Sequence, residues 1–153
     1  MDSVYDLYQR GCELLHHGDH QAAIVPLSKA RDLEPDKASI REALGRALFH
    51  AQRYEGAAAE FHAVAARAPT NDYALFCLGR SMQLLGRHRE ARGPLALACS
   101  LAPDREDYRR YRDRARRDAA SICDDDAPSA SSADGERERA GRDGASFPEG
   151  EHA

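Results

Sequence analysis

The residue types that most often carry chemistry are scattered through this 153-residue chain, and few of them share a motif spacing. His16 and His20 lie four positions apart, the spacing at which two imidazoles on one helix face can bind a metal ion. Gly18 and Asp19 separate them, however, and predict a turn. We therefore expect two solvated histidines at a helix junction rather than a metal site.

The other candidates for catalysis lack partners at the spacing that catalysis requires. The sequence contains no phosphate-binding glycine loop, no GxSxG and no HExxH, and His50, His62 and His88 sit at no motif spacing. No two cysteines form a CxxC pair, so reduced and mostly packed thiols are expected at Cys12, Cys77, Cys99 and Cys123. The sequence thus predicts a protein that is not an enzyme and that holds no cofactor or metal.

Composition and hydropathy predict a soluble protein of the cytoplasm. Hydrophobic residues make up 42% of the chain and charged residues 31%, which suits a globular protein with a modest core. No apolar run approaches the roughly 18 residues of a membrane-spanning helix, and the first ten residues do not resemble a secretory signal. Lysine occurs only at Lys29 and Lys37 while arginine is abundant, a usage typical of a GC-rich bacterial genome.

Small residues and prolines recur at a fixed spacing of 34 residues, which makes them equivalent positions of successive units. Larger apolar residues keep the same register, at Leu14, Leu48 and Met82 and at Leu27, Phe61 and Leu95. The glycine and alanine positions allow two helices to approach closely, and each proline closes one unit before the next. These columns are Gly11, Gly45 and Gly79; Ala23, Ala57 and Ala91; and Pro35, Pro69 and Pro103.

Each unit is predicted to be two helices joined by a short turn, so the fold is expected to be an all-α solenoid. Helices are predicted at about 4–16, 20–33, 38–50, 54–67, 72–85 and 88–101. Gly18 and Gly86 suit the turns because these need a positive φ, and Asp19 is placed to cap the next helix. The second unit has Gln52 there, so its turn should be strained. Pro26 and Pro94 share one position inside the second helix, where we expect a tolerated bend.

The pieces Arg10-Gly11-x-x-Leu14, Leu44-Gly45-x-x-Leu48 and Leu78-Gly79-x-x-Met82, with the alanine and proline columns, resemble the tetratricopeptide repeat. The resemblance covers residues 4–103 in three copies, at about 4–37, 38–71 and 72–103. The sequence departs from the family at the position of its tryptophan, which holds Leu7, Arg41 and Leu75. Arg10 also replaces a leucine and Val64 an alanine. These departures weaken individual contacts and leave the family resemblance intact.

Two segments follow the repeats. Residues 104–120 carry seven arginines and one narrow apolar stripe that includes Tyr108 and Tyr111, which predicts a capping helix at the end of the solenoid and a folded domain over 1–122. Residues 123–153 are acidic and contain almost nothing to bury, so a disordered tail is predicted there.

The family resemblance implies that the first helix of each repeat lines a concave groove with one stripe of residues. The expected groove is aromatic and carries two arginines, side chains that binding surfaces favour. Family members that bind chaperone C-termini use a clamp of lysine, asparagine and arginine. Tyr8 and Cys12 stand at its first two positions and argue against that ligand. The groove residues are Tyr5, Tyr8, Cys12 and Leu15; Ser39, Glu42, Arg46 and Phe49; and Tyr73, Phe76, Arg80 and Gln83.

The capping helix adds either of two sets to the groove. The repeat register would place Arg110, Arg114 and Arg117 there, whereas the apolar stripe suggests a shift of one residue, which would place Arg109, Asp113 and Arg116 there instead. We further hypothesise that Asp124–Asp126 occupies the groove weakly and competes with partners.

The sequence therefore predicts an adaptor or scaffold that binds a protein or peptide, which is acidic if the groove arginines engage it. One alternative is a nucleic-acid-associated factor acting through the arginine-rich cap, although interleaved acidic residues reduce the net charge of residues 104–122 to +2 and disfavour it. The other alternative is a dedicated secretion chaperone, some of which are similarly short three-repeat chains.

Overall fold

The computed structural model describes residues 2–125, with side chains as far as residue 121. Its secondary structure is entirely helical within these residues, and consecutive helices pack as antiparallel pairs. The predicted helix positions are confirmed to within a residue in all three repeats. The helices are α1 (Val4–His16), α2 (His20–Leu33), α3 (Ala38–His50), α4 (Tyr54–Arg67), α5 (Asp72–Leu84), α6 (His88–Leu101) and α7 (Glu106–Asp125).

The turn inside each repeat uses a left-handed residue at one repeat position. Gly18 and Gly86 have φ of 84° and 78°, and Gln52 has φ of 63° in the second repeat. Glutamine rarely adopts this conformation, so the strain predicted for the second turn is present. Asp19 is the N-cap residue of α2, but its side chain makes no capping hydrogen bond. Ser3 and Asn71 do cap α1 and α5, by accepting from the amides of Asp6 and Ala74.

The glycine column is the point of closest approach between the two helices of each repeat. A Cβ atom added at Gly11 would lie 2.4 Å from Cγ of Leu27, and one at Gly79 would lie 2.5 Å from Cγ of Leu95. At Gly45 the equivalent contact is with the ring of Phe61, at 2.9 Å. The alanines at 23, 57 and 91 are fully buried, and the prolines at 35, 69 and 103 lie in the turns between units. Each column therefore has the structural role that its spacing predicts.

A buried carboxylate joins the first two repeats. Glu60 of α4 is 4% exposed and accepts hydrogen bonds from Arg31 of α2 and from Arg41 of α3, the latter at 2.8 Å from Nη1 to Oε2. Arg41 also donates from Nε to the carbonyl of Pro35 at 2.6 Å. Arg41 stands where the family has tryptophan, so an ion pair replaces the packing of an indole at this position.

The last helix is longer than predicted. The cap was expected at about 104–120 and the tail from residue 123, whereas α7 continues through Asp125. Residues 126–153, which include most of the predicted tail, lie outside the described part of the chain.

The last helix keeps the repeat register. Its buried residues Tyr108, Tyr111 and Ala115 stand 68 positions after Ile40, Ala43 and Ala47 of α3, which are buried as well. A shift of one residue would align Tyr108 and Ala115 with Arg41 and Leu48, which are only half-buried. The face of α7 that packs on the preceding repeat is therefore the face that α3 and α5 use. The alternative of a one-residue shift is wrong.

Polar side chains cover both ends of the helix stack. The positions of α1 equivalent to this packing face are Asp6, Gln9 and Glu13, and all three are exposed. At the other end, the position of α7 equivalent to the glycine column is Asp113, which pairs with Arg112 at 3.0 Å and with Arg116 at 3.9 Å. Among the side chains of residues 2–121, neither end presents an apolar surface of the kind that stacks one repeat on the next.

Candidate functional site

The predicted groove stripe remains accessible on α1 and α3. Tyr5 is 68% exposed, and its hydroxyl accepts a hydrogen bond of 2.8 Å from the side-chain amide of Gln9. Tyr8, Cys12 and Leu15 are half-buried, so each of these side chains presents part of its surface to solvent. We call this surface the α1–α3 face; it consists of Tyr5, Tyr8, Cys12, Leu15, Ser39, Glu42 and Arg46.

The polar residues of the α1–α3 face lie on α3. Glu42 is half-buried and its Oε1 accepts a hydrogen bond of 2.7 Å from the side-chain amide of Asn71, the capping residue of α5. Arg46 is exposed. Burial raises the pKa of Tyr8, as do a hydrogen bond with Cys12 and the nearby carboxylate of Glu42, while the guanidinium of Arg46 opposes them. Tyr8 is therefore neutral at physiological pH, and Arg46 supplies the accessible positive charge of this face.

The predicted groove residues of α5 are not accessible. Tyr73 is 4% exposed, Phe76 is fully buried, Arg80 is 2% exposed and Gln83 is 8% exposed. For Phe76, Arg80 and Gln83 the reason is their contact with two large residues of α7. The ring of Phe76 stacks on Tyr108, with centroids 4.4 Å apart, and meets Tyr111 at 5.6 Å. Where α7 has these two tyrosines, α5 has Ala74 and Cys77, which are too small to cover α3 in the same way.

Arg80 and Gln83 hold α7 in place instead of lining the groove. The guanidinium of Arg80 lies 3.9 Å from the centroid of the Tyr111 ring, in a cation–π contact. Its Nη1 donates to Oε1 of Gln83 at 2.9 Å, and Nε2 of Gln83 donates to the carbonyl of Tyr111 at 2.9 Å. The prediction that Arg46 and Arg80 act together on a ligand is therefore wrong, since Arg80 is part of the core.

Phe49 and Tyr73 are also core residues. Phe49 is 2% exposed and its ring meets the edge of Tyr54 with centroids 5.4 Å apart. Tyr73 packs edge-on against Phe61 at 6.4 Å, and burial raises the pKa of its hydroxyl far above the usual range. Phe49 thus packs within the second repeat, Tyr73 joins the third repeat to the second, and both rings offer a ligand almost no surface.

His20 and His50 form a pair at the junction of the first two repeats that the sequence did not predict. The turn at His17–Asp19 separates His16 from His20, as expected, and His20 instead stacks on His50 of α3 with ring centroids 4.4 Å apart. Burial lowers the pKa of His50 to about 4, and repulsion from His20 and Arg46 adds to this effect. The 34-residue period could not reveal the pair, because His20 and His50 occupy different positions of the repeat unit. In residues 2–125 no three histidine, cysteine or acidic side chains are grouped to hold a metal ion.

Comparison with known proteins agrees with the fold. A family model described as tetratricopeptide repeat matches residues 14–74. Among curated proteins, none matches the chain. No helix in the described part of the chain is long and apolar enough to cross a bilayer.

Several solved structures superpose on most of this chain. MamA (residues 41 to the end) from Desulfovibrio magneticus RS-1 gives a TM-score of 0.67 at 22% identity, covering 80% of this chain and 75% of MamA. The C-terminal repeat domain of a Plasmodium falciparum FK506-binding protein gives 0.73 at 21%, covering 80% and 91%. The first repeat domain of Spaghetti (RPAP3), bound to an HSP90 peptide, gives 0.71 at 17%, covering 76% and 93%.

At such identities the likeness to these structures concerns the fold. The matched segment at residues 14–74 adds the sequence signature of the family across the junction of the first two repeats and into α5. The resemblance inferred from the 34-residue period is thus confirmed: the described part of this chain is an all-α solenoid of three helix–turn–helix repeats closed by α7, and residues 14–74 of it match the tetratricopeptide-repeat model.

Proposed function

We propose that this chain is a non-enzymatic protein–protein interaction module that binds a segment of a partner protein on the α1–α3 face. The observation that carries the proposal is the exposure of large side chains on this face. Tyr5 is 68% exposed, and Tyr8 and Leu15 keep part of their apolar surface in solvent beside the exposed Arg46. Aromatic and arginine side chains dominate the binding energy of protein interfaces, because they combine apolar area with directed hydrogen bonds.

The fold supports the same proposal by analogy. The tetratricopeptide domain of Spaghetti is bound to an HSP90 peptide, and its fold is that of this chain. The family's chaperone-peptide clamp begins with a lysine and an asparagine where this chain has Tyr8 and Cys12. We therefore expect a partner whose chemistry differs from that of the chaperone peptide. It would place an apolar side chain against Tyr8 and Leu15 and a carboxylate on the guanidinium of Arg46, which can bind it with two parallel hydrogen bonds.

The experiment compares two charge reversals in the full chain. Arg46→Glu reverses the accessible charge of the α1–α3 face, and Lys29→Glu reverses an exposed charge on the outer side of α2. Each variant and the parent are used as bait in a native lysate, and captured proteins are quantified by mass spectrometry. The proposal predicts partners that are lost at least tenfold with Arg46→Glu and retained with Lys29→Glu. Equal capture by all three baits would refute the binding site.

The same three proteins also test the two alternative functions that the sequence left open. A single unstable client recovered in stoichiometric amount would indicate a secretion-type chaperone, which is a narrower form of this function. Binding of a nonspecific oligonucleotide that weakens steeply with salt would indicate a nucleic-acid-associated factor instead. A cytoplasmic location is part of the proposal and is tested by fractionation of the source cells.

A further inference from the structure

The arginines of α7 lie on two faces with different surroundings. On the end face of the solenoid, Arg109 and Arg116 pair with Glu106 and Asp113 at 4.0 and 3.9 Å. Arg112 pairs with Asp113 as well, at 3.0 Å. Positive and negative side chains are thus interleaved on this face, and little net charge remains to attract an anion.

On the second face, two of the three arginines lack such compensation within the described residues. Because α7 keeps the repeat register, Arg110, Arg114 and Arg117 occupy the positions equivalent to Glu42, Arg46 and Phe49 of α3. Arg110 and Arg117 are exposed and have no ion pair within the described residues, and Arg114 lies 3.9 Å from Asp118. We call Arg110, Arg114 and Arg117 the inner arginine stripe. It follows the spacing i, i+4, i+7 of a single helix face.

The chain itself supplies a segment of opposite charge next to this stripe. Residues 126–153 contain seven acidic residues and three arginines. Three of the acids, Asp134, Glu136 and Glu138, alternate with Gly135, Arg137 and Arg139, so an extended chain would direct the acids to one side and the arginines to the other. In an extended chain this alternation directs side chains to one side at about 6.6–6.8 Å intervals, which is close to the spacing of successive arginines along a helix face.

The chain between α7 and the acidic segment is long enough for that segment to reach the inner arginine stripe. Arg117 precedes the end of α7 at Asp125 by eight residues, or about 12 Å along the helix. Asp134 follows Asp125 by nine residues, which can span about 30 Å when extended. The connecting sequence is rich in alanine, serine and proline and contains no bulky side chain. A tether of this length gives a local concentration in the millimolar range, so even a weak ionic contact is substantially occupied.

We propose that the inner arginine stripe is the docking surface for the chain's own acidic segment around Asp134–Glu138. This replaces the hypothesis that Asp124–Asp126 enters the groove, because Asp124 and Asp125 belong to α7. The docked segment competes with acidic partners for the arginines of α7. The docking does not depend on the proposed function, since it involves neither Tyr8 nor Arg46.

The test uses the full-length protein labelled with ¹⁵N, whose backbone amides report the surroundings of each residue. Arg110→Glu with Arg117→Glu reverses the stripe, and Arg109→Glu with Arg116→Glu is the matched reversal on the end face. At about 20 mM NaCl the stripe variant is expected to shift the amide resonances of residues 134–138 and the end-face variant to leave them unchanged. The difference should disappear at about 500 mM, where the screening length falls to a few ångströms.

A reciprocal variant removes the charge from the other partner and leaves the sequence of residues 2–125 unchanged. Asp134→Asn with Glu136→Gln and Glu138→Gln should shift the amides of Arg110 and Arg117 in the direction that salt shifts them in the parent. The proposal is overturned if residues 134–138 give the same resonances in the parent and the stripe variant at low salt. It is also overturned if both double reversals have the same effect on the amides of residues 134–138. A third contradicting result is a 20-nucleotide oligothymidine that binds the stripe while the amide resonances of residues 134–138 do not respond.

Discussion

The rings of Phe76 and Tyr108 stack with their centroids 4.4 Å apart and their planes 18° from parallel. This contact joins a residue that the family pattern assigns to the groove with a residue of the last helix. It closes the third repeat, because α7 then covers the whole inner stripe of α5. The binding surface of this solenoid is consequently shifted toward its first two repeats.

Replacing Tyr108 tests how far α7 stabilises the fold. Tyr108→Ala removes a fully buried ring and should lower the free energy of unfolding by about 3–5 kcal/mol. Tyr108→Phe removes only the hydroxyl, which donates to Asp72 at 3.0 Å, and should cost about 0.5–1.5 kcal/mol. Urea unfolding of both variants provides the measurement. If Tyr108→Ala unfolds at the midpoint of the parent, α7 is not packed on α5.

The buried carboxylate of Glu60 should matter far more than exposed ones. Glu60→Gln leaves Arg31 and Arg41 without their shared anion, and because both arginines are partly exposed we expect a loss of about 1–3 kcal/mol. Glu55→Gln is the control, since Glu55 is exposed and lies 3.5 Å from Arg87, a pair worth at most about 1 kcal/mol. Thermal melts of the two variants should differ by several degrees, and indistinguishable melts would contradict the role assigned to Glu60.

The glycine column predicts which glycines can accept a side chain. Gly79→Ala forces its Cβ to 2.5 Å from Leu95, so the helices must separate at a cost of about 1–3 kcal/mol. Gly93→Ala meets no atom within 4 Å, and Val25 occupies the equivalent position before a helical proline in the first repeat. That variant should be neutral or slightly stabilising. A stable Gly79→Ala protein would show that the column is not a close contact.

The histidine pair predicts a stability that depends on pH. Burial lowers the pKa of His50 to about 4 in the folded state, whereas an unfolded histidine titrates near 6.5. Between these values the unfolded chain binds more protons, so the free energy of unfolding should fall as the pH is lowered from about 6.5 toward 4. Below about 4 this group contributes no further change.

His50→Gln isolates this contribution. Between pH 7.5 and 5.0 the parent should lose more stability than the variant, by about 1 kcal/mol or less because the ring is only half-buried. Urea midpoints at the two pH values give the comparison. Equal losses in the two proteins would mean that His50 does not titrate with a lowered pKa.

The repeat register could be predicted because each column has one local cause. Gly11, Gly45 and Gly79 mark close approaches, and Gly18 and Gly86 mark turns with positive φ, so their spacing alone located the helices. Even the strained turn at Gln52 followed from the missing glycine. These features depend on residues close in sequence or at one fixed separation, which a single chain displays directly.

The accessible site could be predicted only in part, because accessibility depends on the size of side chains from other repeats. The family pattern treats Tyr8 and Phe76 as equivalent, yet Tyr8 packs at the edge of aliphatic clusters that contain Ile40 and Ala43, while Phe76 faces the rings of Tyr108 and Tyr111. The two tyrosines are visible in the sequence, and once the register of α7 is known their bulk signals the closure. The pairs of Arg41 with Glu60 and of His20 with His50 lie at separations unrelated to 34, so the period could not show them.

Site-specific photo-crosslinking shows whether partners bind the α1–α3 face. A benzophenone amino acid replaces Tyr5, which is 68% exposed on that face, or Val25, which is 58% exposed on the outer side of α2. Both proteins are irradiated in the cells that make them and their adducts are separated by mass. If partners bind the α1–α3 face, position 5 gives discrete adducts that are absent from position 25. Adducts from position 25 alone, or none from position 5, would contradict it.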